Sequence, residues 1–440
     1  MVGNITFVLM SAFDGTGQLR RRELLAGAMV VPLASASASE PSSIGEGTGT
    51  GTNERHWQSI ARQYDRPEGV IQLEHGNWGA MARPVREVYA AHVTRVNCDT
   101  SYYARRTMGP DLEAAHAATA AMVGVDPAEL VLTRNATEAL RALILGYRNL
   151  APGDTVLYAD HDYDAMQRFM ASLQQRRGVR AVRLSLPEAA TCETLLDVYT
   201  SAFRENPRIR LVLLTHLGHR SGMVLPVAAI ADAARAHGAD VIVDAAHSLG
   251  QVDFRLPDLR ADFVAVNLHK WVGAPLGLGA MFVRSGRVGA IDPDPAADEQ
   301  ADVGLRQRIH IGTFDFAAAL TLPDALAFLD SAGSLAARSG RLRALRDRWI
   351  TALSDVPSVQ FLTGNGPGDC GAITSFRMAG DASEAGNRQI VQRLLEEWGI
   401  FTVVRTGLAA GACVRVTPSL ATHLHEVDRL ALALRKVAAV

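Results

Sequence analysis

The stretch Phe263-Val264-Ala265-Val266-Asn267-Leu268-His269-Lys270-Trp271 leads from an apolar run into a His-Lys pair. An earlier apolar run, Ala239–Val243, ends in Asp244-Ala245-Ala246-His247. Both runs predict buried strands, so each strand ends in a small set of polar groups. In an open α/β sheet, ligands bind outside the carboxyl ends of the strands. The two stretches together therefore predict a parallel sheet with a ligand site at one edge.

Lysine on one strand end and an acid on its neighbour suit pyridoxal 5'-phosphate. Lys270 can bind the aldehyde of that cofactor as a Schiff base, and Asp244 can keep the pyridine nitrogen protonated. Each residue also has an ordinary explanation, since an Asp after a strand is often a helix cap. The prediction therefore depends on how many other parts of such a site the chain contains.

From about residue 85 to 290, the sequence alternates between apolar strands and amphipathic helices. With 440 residues, two domains plus tails are expected. The alternation predicts an α/β fold with a mainly parallel sheet covered on both faces. We place a large domain at 85–320, a smaller α+β domain at 321–440, and an N-terminal segment at 56–84 that packs on the smaller domain. The predicted strands are Leu130–Thr133, Thr155–Ala159, Val179–Leu184, Arg210–Thr215, Val241–Asp244, Phe263–Asn267 and Gly279–Val283. The predicted helices include Thr137–Tyr147, Asp164–Arg176, Leu195–Glu205, Val227–His237, Leu320–Asp330 and Ser334–Leu353.

Residues 1–38 have the pattern of an export signal. Arg20-Arg21-Arg22 precedes a modestly apolar stretch and an Ala-x-Ala pattern, which is typical of the twin-arginine type. Residues 39–55 are rich in Ser, Gly and Thr and predict a flexible linker. We therefore expect a periplasmic or exported protein, or a cytoplasmic one if the signal interpretation is wrong.

The charge and the distribution of apolar residues indicate which kinds of partner are not expected. A formal net charge of -2 and the absence of a basic stripe argue against nucleic acid. No long apolar run follows the signal, so stable membrane insertion after cleavage is not expected. Four cysteines, Cys98, Cys192, Cys370 and Cys413, lack the spacing of a metal site.

A second candidate site segment runs from Leu132 to Leu140. Asn135 precedes a stretch with the apolar periodicity of a helix, and Glu138 lies three residues after Asn135. This spacing indicates a helix start with a variant of the capping box. Free N–H groups and the positive end of the helix dipole favour an anion at this point. The backbone around Ala136 and the hydroxyl of Thr137 are therefore candidate phosphate donors, although a capped helix without a ligand explains the segment equally well.

Seven motifs in order resemble the class V aminotransferase family of fold-type I pyridoxal-phosphate enzymes, and within it the isopenicillin N epimerase-like subgroup. They are Leu73-Glu74-His75-Gly76-Asn77-Trp78-Gly79-Ala80, Arg134-Asn135-Ala136-Thr137-Glu138, Asp160-His161-Asp162-Tyr163, Asp244-Ala245-Ala246-His247, Asn267-Leu268-His269-Lys270-Trp271, Gly312-Thr313-Phe314-Asp315 and Arg415-Val416-Thr417-Pro418-Ser419.

The resemblance implies a role for each candidate residue. Lys270, Asp244 and Tyr163 are the catalytic candidates, with Tyr163 also stacking on the pyridine ring. Arg415 and Asn77 are implied in substrate binding, Arg415 as a clamp for an α-carboxylate. Thr313 is implied to reach the phosphate of a partner subunit, so we expect a homodimer. The implied cofactor-binding residues are Ala136, Thr137, Tyr163, His219, Asp244, His247, His269, Lys270 and Thr313.

Two stretches depart from the family pattern. Gly218-His219-Arg220-Ser221-Gly222 stands where relatives carry an Asn near the phenolic oxygen of the cofactor, so His219 takes that place. Val404-Arg405-Thr406-Gly407 is followed by Leu408-Ala409-Ala410-Gly411, which contains no cysteine, and Cys413 falls in a strand pattern. Both observations argue against persulfide chemistry.

The function expected is amino-group chemistry, either transamination or Cα epimerisation, on an amino acid or peptide natural product. A C–S or β-elimination lyase is the alternative within the same cofactor class. Two other classes stay open: a metal-dependent periplasmic hydrolase that uses His216, His219, Asp244 and His247, and a binding protein that has lost turnover.

Overall fold

The computed structural model describes residues 50–296, 304–309, 312–364, 366 and 368–439, with side chains from residue 54 onward. The predicted export signal and residues 39–49 of the predicted linker lie outside the described residues. Residues 50–55, the end of that linker, instead form the first turns of a helix, Thr50–Ala61. Trp57 and Ile60 of this helix are buried in the core, and Glu54 pairs with Arg341, which explains why the segment is ordered here.

Twelve α-helices occur in the described part of the chain. They are α1 (Thr50–Ala61), α2 (Arg83–Arg106), α3 (Met108–Val123), α4 (Ala136–Gly146), α5 (Asp164–Arg177), α6 (Cys192–Glu205), α7 (Val227–His237), α8 (Phe316–Leu320), α9 (Leu322–Ser331), α10 (Leu335–Thr351), α11 (Glu384–Trp398) and α12 (Leu424–Ala438).

Thirteen strands accompany them. They are β1 (Ile71–Gln72), β2 (Leu130–Thr133), β3 (Thr155–Ala159), β4 (Arg180–Leu184), β5 (Ile209–Thr215), β6 (Asp240–Asp244), β7 (Phe263–Asn267), β8 (Gly279–Val283), β9 (Val359–Phe361), β10 (Thr374–Met378), β11 (Ile400–Phe401), β12 (Val403–Leu408) and β13 (Gly411–Val416).

The main sheet has seven strands in the order β2-β8-β7-β6-β5-β3-β4. All its pairs are parallel except those of β8, which runs antiparallel to both β2 and β7. The mainly parallel sheet predicted from the sequence is therefore confirmed. Except for the edge strand β4, its strands are buried on both faces, because alternate residues enter different cores. Val156 and Leu211 belong to one core with α4 and α5, while Leu157 and Val212 belong to the other with α6 and α7.

A second sheet lies in the C-terminal part of the chain, where the sequence predicts an α+β region. Its four strands run in the order β12-β13-β10-β9 and are antiparallel throughout. Helices α10, α11 and α12 cover it around a third core that contains Trp349, Phe376 and Leu430. The short strand β1 pairs with β11, so the N-terminal segment contacts this region. The boundary at residue 320 stays a prediction.

One predicted helix differs in the structure. The stretch predicted as a single helix over Leu320–Asp330 is divided between α8 and α9 at Thr321. Pro323 lies in the first turn of α9, where its missing N–H costs least, and it favours a new helix start there. No helix among the described residues is long and apolar enough to cross a bilayer.

Candidate active site

A cleft of about 550 Å³ opens at the carboxyl ends of the main-sheet strands, where the N-terminal segment and strands β12 and β13 close its wall. The pairing of β6 with β5 and β7 sets Asp244 opposite Thr215 on one side and Ala265 on the other. The chain then brings Lys270 to the same edge, three residues after β7. The predicted site residues that line this cleft are Asn77, Ala136, Thr137, Tyr163, His219, Asp244, His247, His269, Lys270 and Arg415.

Lys270 lies at the centre of the cleft. Its Nζ is 2.8 Å from Nε2 of His247, which follows β6. Burial, reinforced by the charge of Arg415, lowers the pKa of Lys270 to about 7. Burial, with Lys270 and Arg415 nearby, holds the pKa of His247 well below its ordinary value. A neutral His247 can therefore accept a hydrogen bond from the Lys270 amine, and near neutral pH a large fraction of that amine is unprotonated.

Asp244 is buried at the end of β6. Its Oδ1 accepts a hydrogen bond of 2.9 Å from the backbone N–H of Ala246. Burial raises the pKa of Asp244, while the Ala246 N–H and the charge of Lys270 oppose that rise. A buried carboxyl of this kind is stabilised as an anion by a positive partner, which is the role predicted for a protonated ring nitrogen.

A second buried carboxyl, Asp162, lies beside the same strand ends. It accepts hydrogen bonds from the Thr215 hydroxyl at 2.7 Å and from the Ala159 N–H at 2.7 Å. Burial, with a further contribution from the charge of Asp244, raises the pKa of Asp162 to about 7. The sequence assigned no role to Asp162 or Thr215. A Thr at the end of an apolar strand, next in the sheet to the Asp244 strand, is the signal that indicates this contact.

The start of α4 forms one end of the cleft. The side chain of Asn135 accepts from the Glu138 N–H at 2.8 Å, as the capping pattern predicts. The Ala136 N–H donates to Oδ1 of Asn267 at 2.8 Å, so that donor is already used in a link to β7. Thr137 is exposed to the cleft, with its hydroxyl at the helix N-terminus. A phosphate at this end would meet the hydroxyl and the helix dipole.

His269 lies at the same end as Thr137. Its Nδ1 is 2.7 Å from the Leu278 carbonyl oxygen, which only accepts, so Nδ1 carries a proton. Burial lowers the pKa of His269. A phosphate dianion beside Nε2 would favour the protonated ring, and His269 would then donate to it.

The aromatic side chains of the cleft come from the start of α5 and from the loop after β5. Tyr163 is 44% exposed at the start of α5, and its ring stands edge-on to His219 with centroids 5.4 Å apart. The His219 ring is nearly parallel to His247, at 6.3 Å and 19°. His161, the other ring in the predicted stacking segment, is buried and bonds Asp160 at 2.9 Å. Tyr163 and His219 therefore face the cleft, and His161 does not line it.

Arg415 lies at the far end and is almost completely buried. Its Nη1 donates to the His219 carbonyl at 2.7 Å, and Nη2 donates to Oε1 of Glu74. Arg405 from β12 donates to the same carboxylate oxygen at 3.1 Å. Burial lowers the pKa of Arg415 to about 10, against the opposing effect of Glu74. The predicted carboxylate clamp is thus part of a cluster of two arginines and one glutamate.

The N-terminal segment approaches the site through backbone contacts that only glycine permits. A Cβ on Gly79 would lie 1.7 Å from the Lys270 carbonyl oxygen, and one on Gly76 would lie 2.9 Å from the Arg415 guanidinium carbon. The Gly79 N–H donates to the His269 carbonyl at 2.9 Å. This segment therefore fixes the backbone of the Lys270 loop on one side and the Arg415 side chain on the other.

Arg220 is a structural residue of the site that sequence reasoning did not identify. It is buried and donates to the carbonyls of Asp160 and Asp162 at 2.9 Å each, and to the carbonyl of Thr406 at 2.6 Å. It therefore links the loop that carries Tyr163 to strand β12. Its position beside His219 in an otherwise small-residue turn is the only sequence signal for this role.

Two predictions from the sequence, a phosphate contact by Thr313 and an alternative zinc site, do not match the lining of the cleft. Thr313 is exposed and does not appear among the described residues that line the cleft, so its predicted role needs a second subunit. In the described part of the chain, no group of three or more His, Cys, Asp or Glu side chains lies close enough to hold a metal ion. His216, one of the residues of the alternative zinc site, instead packs edge-on against Phe254 at 4.6 Å. The geometry gives the metal-hydrolase alternative no support.

The cleft fits pyridoxal phosphate in its chemistry. A lysine of lowered pKa, a buried acid at the end of the adjacent strand, and a helix N-terminus lie around one cavity. His247 also has a buried Nδ1 without a partner among the described residues. Lys270 is one of only two lysines in the chain, the other being the exposed Lys436 on α12. The amine that the cofactor requires is therefore well defined.

Comparisons with known proteins agree with this arrangement. The chain is 28% identical over 381 residues to isopenicillin N epimerase of Streptomyces clavuligerus, covering 83% of this chain and 94% of that protein. It is 27% identical over 293 residues to a putative L-cysteine desulfhydrase of Oryza sativa subsp. japonica, covering 62% and 60% of the two chains.

Solved structures show the same fold. A C-DES mutant with glycine covalently linked to its PLP cofactor superimposes with a TM-score of 0.73 at 23% identity, covering 85% of this chain and 98% of that chain. The cysteine desulfurase CsdA from Escherichia coli gives a TM-score of 0.73 at 21% identity, covering 87% and 98%. The predicted fold-type I architecture is thereby confirmed. The family model of class-V aminotransferases matches residues 83–430, and the chain belongs to that family.

Proposed function

We propose that this protein catalyses amino-group chemistry, either transamination or epimerisation at Cα, on an amino acid or a peptide natural product. The observation that carries the proposal is the Lys270–His247 contact of 2.8 Å in a cleft that also contains Asp244 and Arg415. The cofactor is pyridoxal 5'-phosphate, which when bound withdraws electrons from the Cα of an attached amino group.

Proton transfer at Cα is the step that the residues of the chain perform. With its pKa lowered to about 7, Lys270 is both a base and an acid near neutral pH. His247 accepts a hydrogen bond from the amine, which orients the Lys270 lone pair. Asp244 supplies the negative charge that keeps a pyridinium nitrogen protonated, and its burial keeps water from weakening that interaction.

Orientation of the substrate decides which bond at Cα breaks. Arg415 is held by His219 and Glu74, and so presents its guanidinium group in a fixed plane at the end of the cleft. A carboxylate bound there places the opposite end of the substrate toward Lys270. For epimerisation a second proton donor is needed on the other face of Cα. Tyr163 is the residue we propose for it, since it lines the cleft and is half exposed.

A C–S or β-elimination lyase is the second candidate. Relatives with cysteine desulfhydrase names, and the C-DES structure, favour this class. Removal of the same Cα proton by Lys270 would precede loss of a β-substituent. Persulfide transfer finds no support, since the turn between β12 and β13 is formed by Ala409 and Ala410. Cys413 on β13 is buried, and burial raises the pKa of its thiol to about 11.

We also propose that the protein is exported and acts as a homodimer. The twin-arginine pattern at Arg21 and Arg22 supports export, and the exposed position of Thr313 supports completion of the site by a second copy. Retention of a reporter fused behind residues 1–38 in the cytoplasm would contradict export. A monomeric holoenzyme in light scattering would contradict the dimer.

The test of the function uses the purified holoenzyme in D₂O with a panel of L- and D-amino acids. Deuterium at Cα with inversion of configuration means epimerisation, and conversion of the cofactor absorption to the pyridoxamine form means transamination. Release of ammonia with pyruvate or sulfide means elimination and would favour the second candidate. Absence of Cα exchange with every member of a panel that includes small peptides would overturn the proposal.

A further inference from the structure

The cluster of Glu74, Arg405 and Arg415 carries a charge pattern that the proposed chemistry does not itself require. Two arginines line the end of the cleft, yet one carboxylate of the chain already accepts from both of them. Two positive charges and one negative charge leave a single excess positive charge for the substrate. The end of the cleft is therefore matched to one added carboxylate.

Glu74 is fixed in this position by its neighbours. The Leu73 N–H donates to the Phe401 carbonyl at 3.1 Å, and the His75 N–H donates to the Thr417 carbonyl at 3.2 Å. The residues on both sides of Glu74 are thus bonded to β11 and to the residue that follows β13. Gly76 packs directly on the Arg415 guanidinium group, so the backbone has no room to move toward it.

The arginines keep donors that Glu74 does not use. Among the described residues, Nε of Arg405 and Nε of Arg415 are buried and have no hydrogen-bond partner. The Arg405 side chain is 29% exposed, and that of Arg415 is 1% exposed, so Arg405 is the more accessible of the two. An added carboxylate therefore reaches the guanidinium group of Arg405 more readily than that of Arg415, with Glu74 still in place.

We propose that Glu74 is a specificity-determining residue that restricts this end of the cleft to substrates with one carboxylate. A second carboxylate would lie close to Glu74 in a site shielded from water, where like charges repel strongly. The preferred substrates are amino acids that have no second carboxylate on the part of the side chain lying beside the α-carboxylate. This inference rests on the proposed function, because it names the substrate class of the same site.

The test compares propionate and malonate as unreactive probes, using the holoenzyme and isothermal calorimetry together with thermal unfolding. In the unaltered protein we expect propionate to bind more tightly than malonate. Glu74→Gln should raise the ratio of malonate to propionate affinity by about tenfold or more, since a buried like-charge contact is removed. Glu74→Asp, which keeps the charge, should leave the ratio near its original value.

Glu188→Gln is the matched control. Glu188 also forms a two-bond contact with a buried arginine, Arg377, at 3.1 and 2.8 Å, but it does not line the cleft. An unchanged ratio in Glu74→Gln, or an equal change in Glu188→Gln, would overturn the inference.

Loss of Glu74 also leaves the buried Arg415 and the partly buried Arg405 without an anion, so Glu74→Gln carries a risk of misfolding. In that case Arg405→Gln tests the same charge count. It removes the excess positive charge, and propionate affinity should fall by about tenfold, whereas unchanged affinity would refute the inference. Neither measurement needs turnover. Failure of the proposed function would show as missing Cα exchange, and failure of this inference as an unchanged affinity ratio with exchange intact.

Discussion

The cleft has two halves that are built differently. On one half, Asp244 and Lys270 stand on adjacent strands of the main sheet, and their positions follow from strand register. On the other half, Glu74, Arg405 and Arg415 come from segments 341 residues apart at their widest, and their positions depend on packing between the N-terminal segment and the second sheet. We expect the first half to perform the proposed chemistry and the second half to select the substrate.

The difference teaches where each kind of substitution should act. Changes at the strand ends should alter proton transfer with little effect on which acids bind. Changes in the wall formed by the N-terminal segment should alter geometry, binding and stability together, because that segment touches Lys270 through its backbone.

Replacement of the central amine should have the largest effect. We expect Lys270→Ala to lower Cα hydrogen exchange by about 10³-fold or more, since general acid–base catalysis contributes this order of rate. Lys436→Ala, the only other lysine substitution that the chain allows, should leave exchange unchanged. Exchange is measured by proton NMR in D₂O, and a similar rate in both variants would show that the strand-end half does not perform the chemistry.

The lowered pKa of Lys270 should also appear as a pH dependence of the apoprotein's stability. The folded-state pKa is about 7 and the ordinary value is 10.5. Between these values the unfolded chain binds more protons, so stability should rise with pH by up to ~1.4 kcal/mol per pH unit. Above pH 10.5 and below about pH 7, the contribution of Lys270 to the free energy of unfolding should no longer change with pH.

Lys270→Met is the comparison for this slope. Urea unfolding of both apoproteins from pH 7 to pH 9.5 should show a smaller rise with pH in the variant, and the difference between the two curves isolates the lysine. Parallel curves would mean that Lys270 titrates at its ordinary value, and hence that burial does not activate it.

Gly79→Ala tests the half of the cleft that is formed by the N-terminal segment and the second sheet, called here the wall half. The new Cβ would lie 1.7 Å from the Lys270 carbonyl oxygen, so the two backbones must separate. We expect a loss of ~1–3 kcal/mol in the free energy of unfolding, together with a lower rate of exchange. Gly340→Ala on α10, where no described atom lies within 4 Å of the new carbon, should be neutral or stabilising by up to ~1 kcal/mol. Equal effects in the two variants would separate the N-terminal segment from the site.

The smallest effect is expected at the phosphate end. Asn135→Ala removes the acceptor of the Glu138 N–H and should cost ~1 kcal/mol of stability. Thr191→Ala removes the equivalent cap of α6, away from the cleft, at a similar cost. Only Asn135→Ala should also weaken cofactor affinity, measured by the release of pyridoxal phosphate on dilution. Equal affinities would place the phosphate elsewhere.

The strand-end half could be predicted from sequence because its information is local. Four of the seven predicted main-sheet strands, those starting at Leu130, Thr155, Phe263 and Gly279, have the same ends in the structure. A continuous apolar run defines a buried strand, and the residue after it must lie at the sheet edge. The capping of α4 by Asn135 is local in the same sense.

The wall half could not be predicted in the same way. No periodic pattern in the sequence indicates that Glu74 pairs with Arg415, because the pairing depends on how two distant segments pack together. Glu74 lies in the first of the seven motifs, and that motif alone does not indicate an arginine partner. The buried Asp162–Thr215 pair was missed for a related reason, since each residue alone resembles an ordinary strand end.

The scarcity of lysine has a practical side. Almost all positive side chains of the protein are arginines, and arginine does not react with amine-directed reagents at neutral pH. Conjugation chemistry aimed at amines therefore meets Lys436, Lys270 and the chain's α-amine. With a cofactor bound to Lys270, a dye, tether or solid support would attach either to the α-amine or to Lys436 on the C-terminal helix, which does not line the cleft.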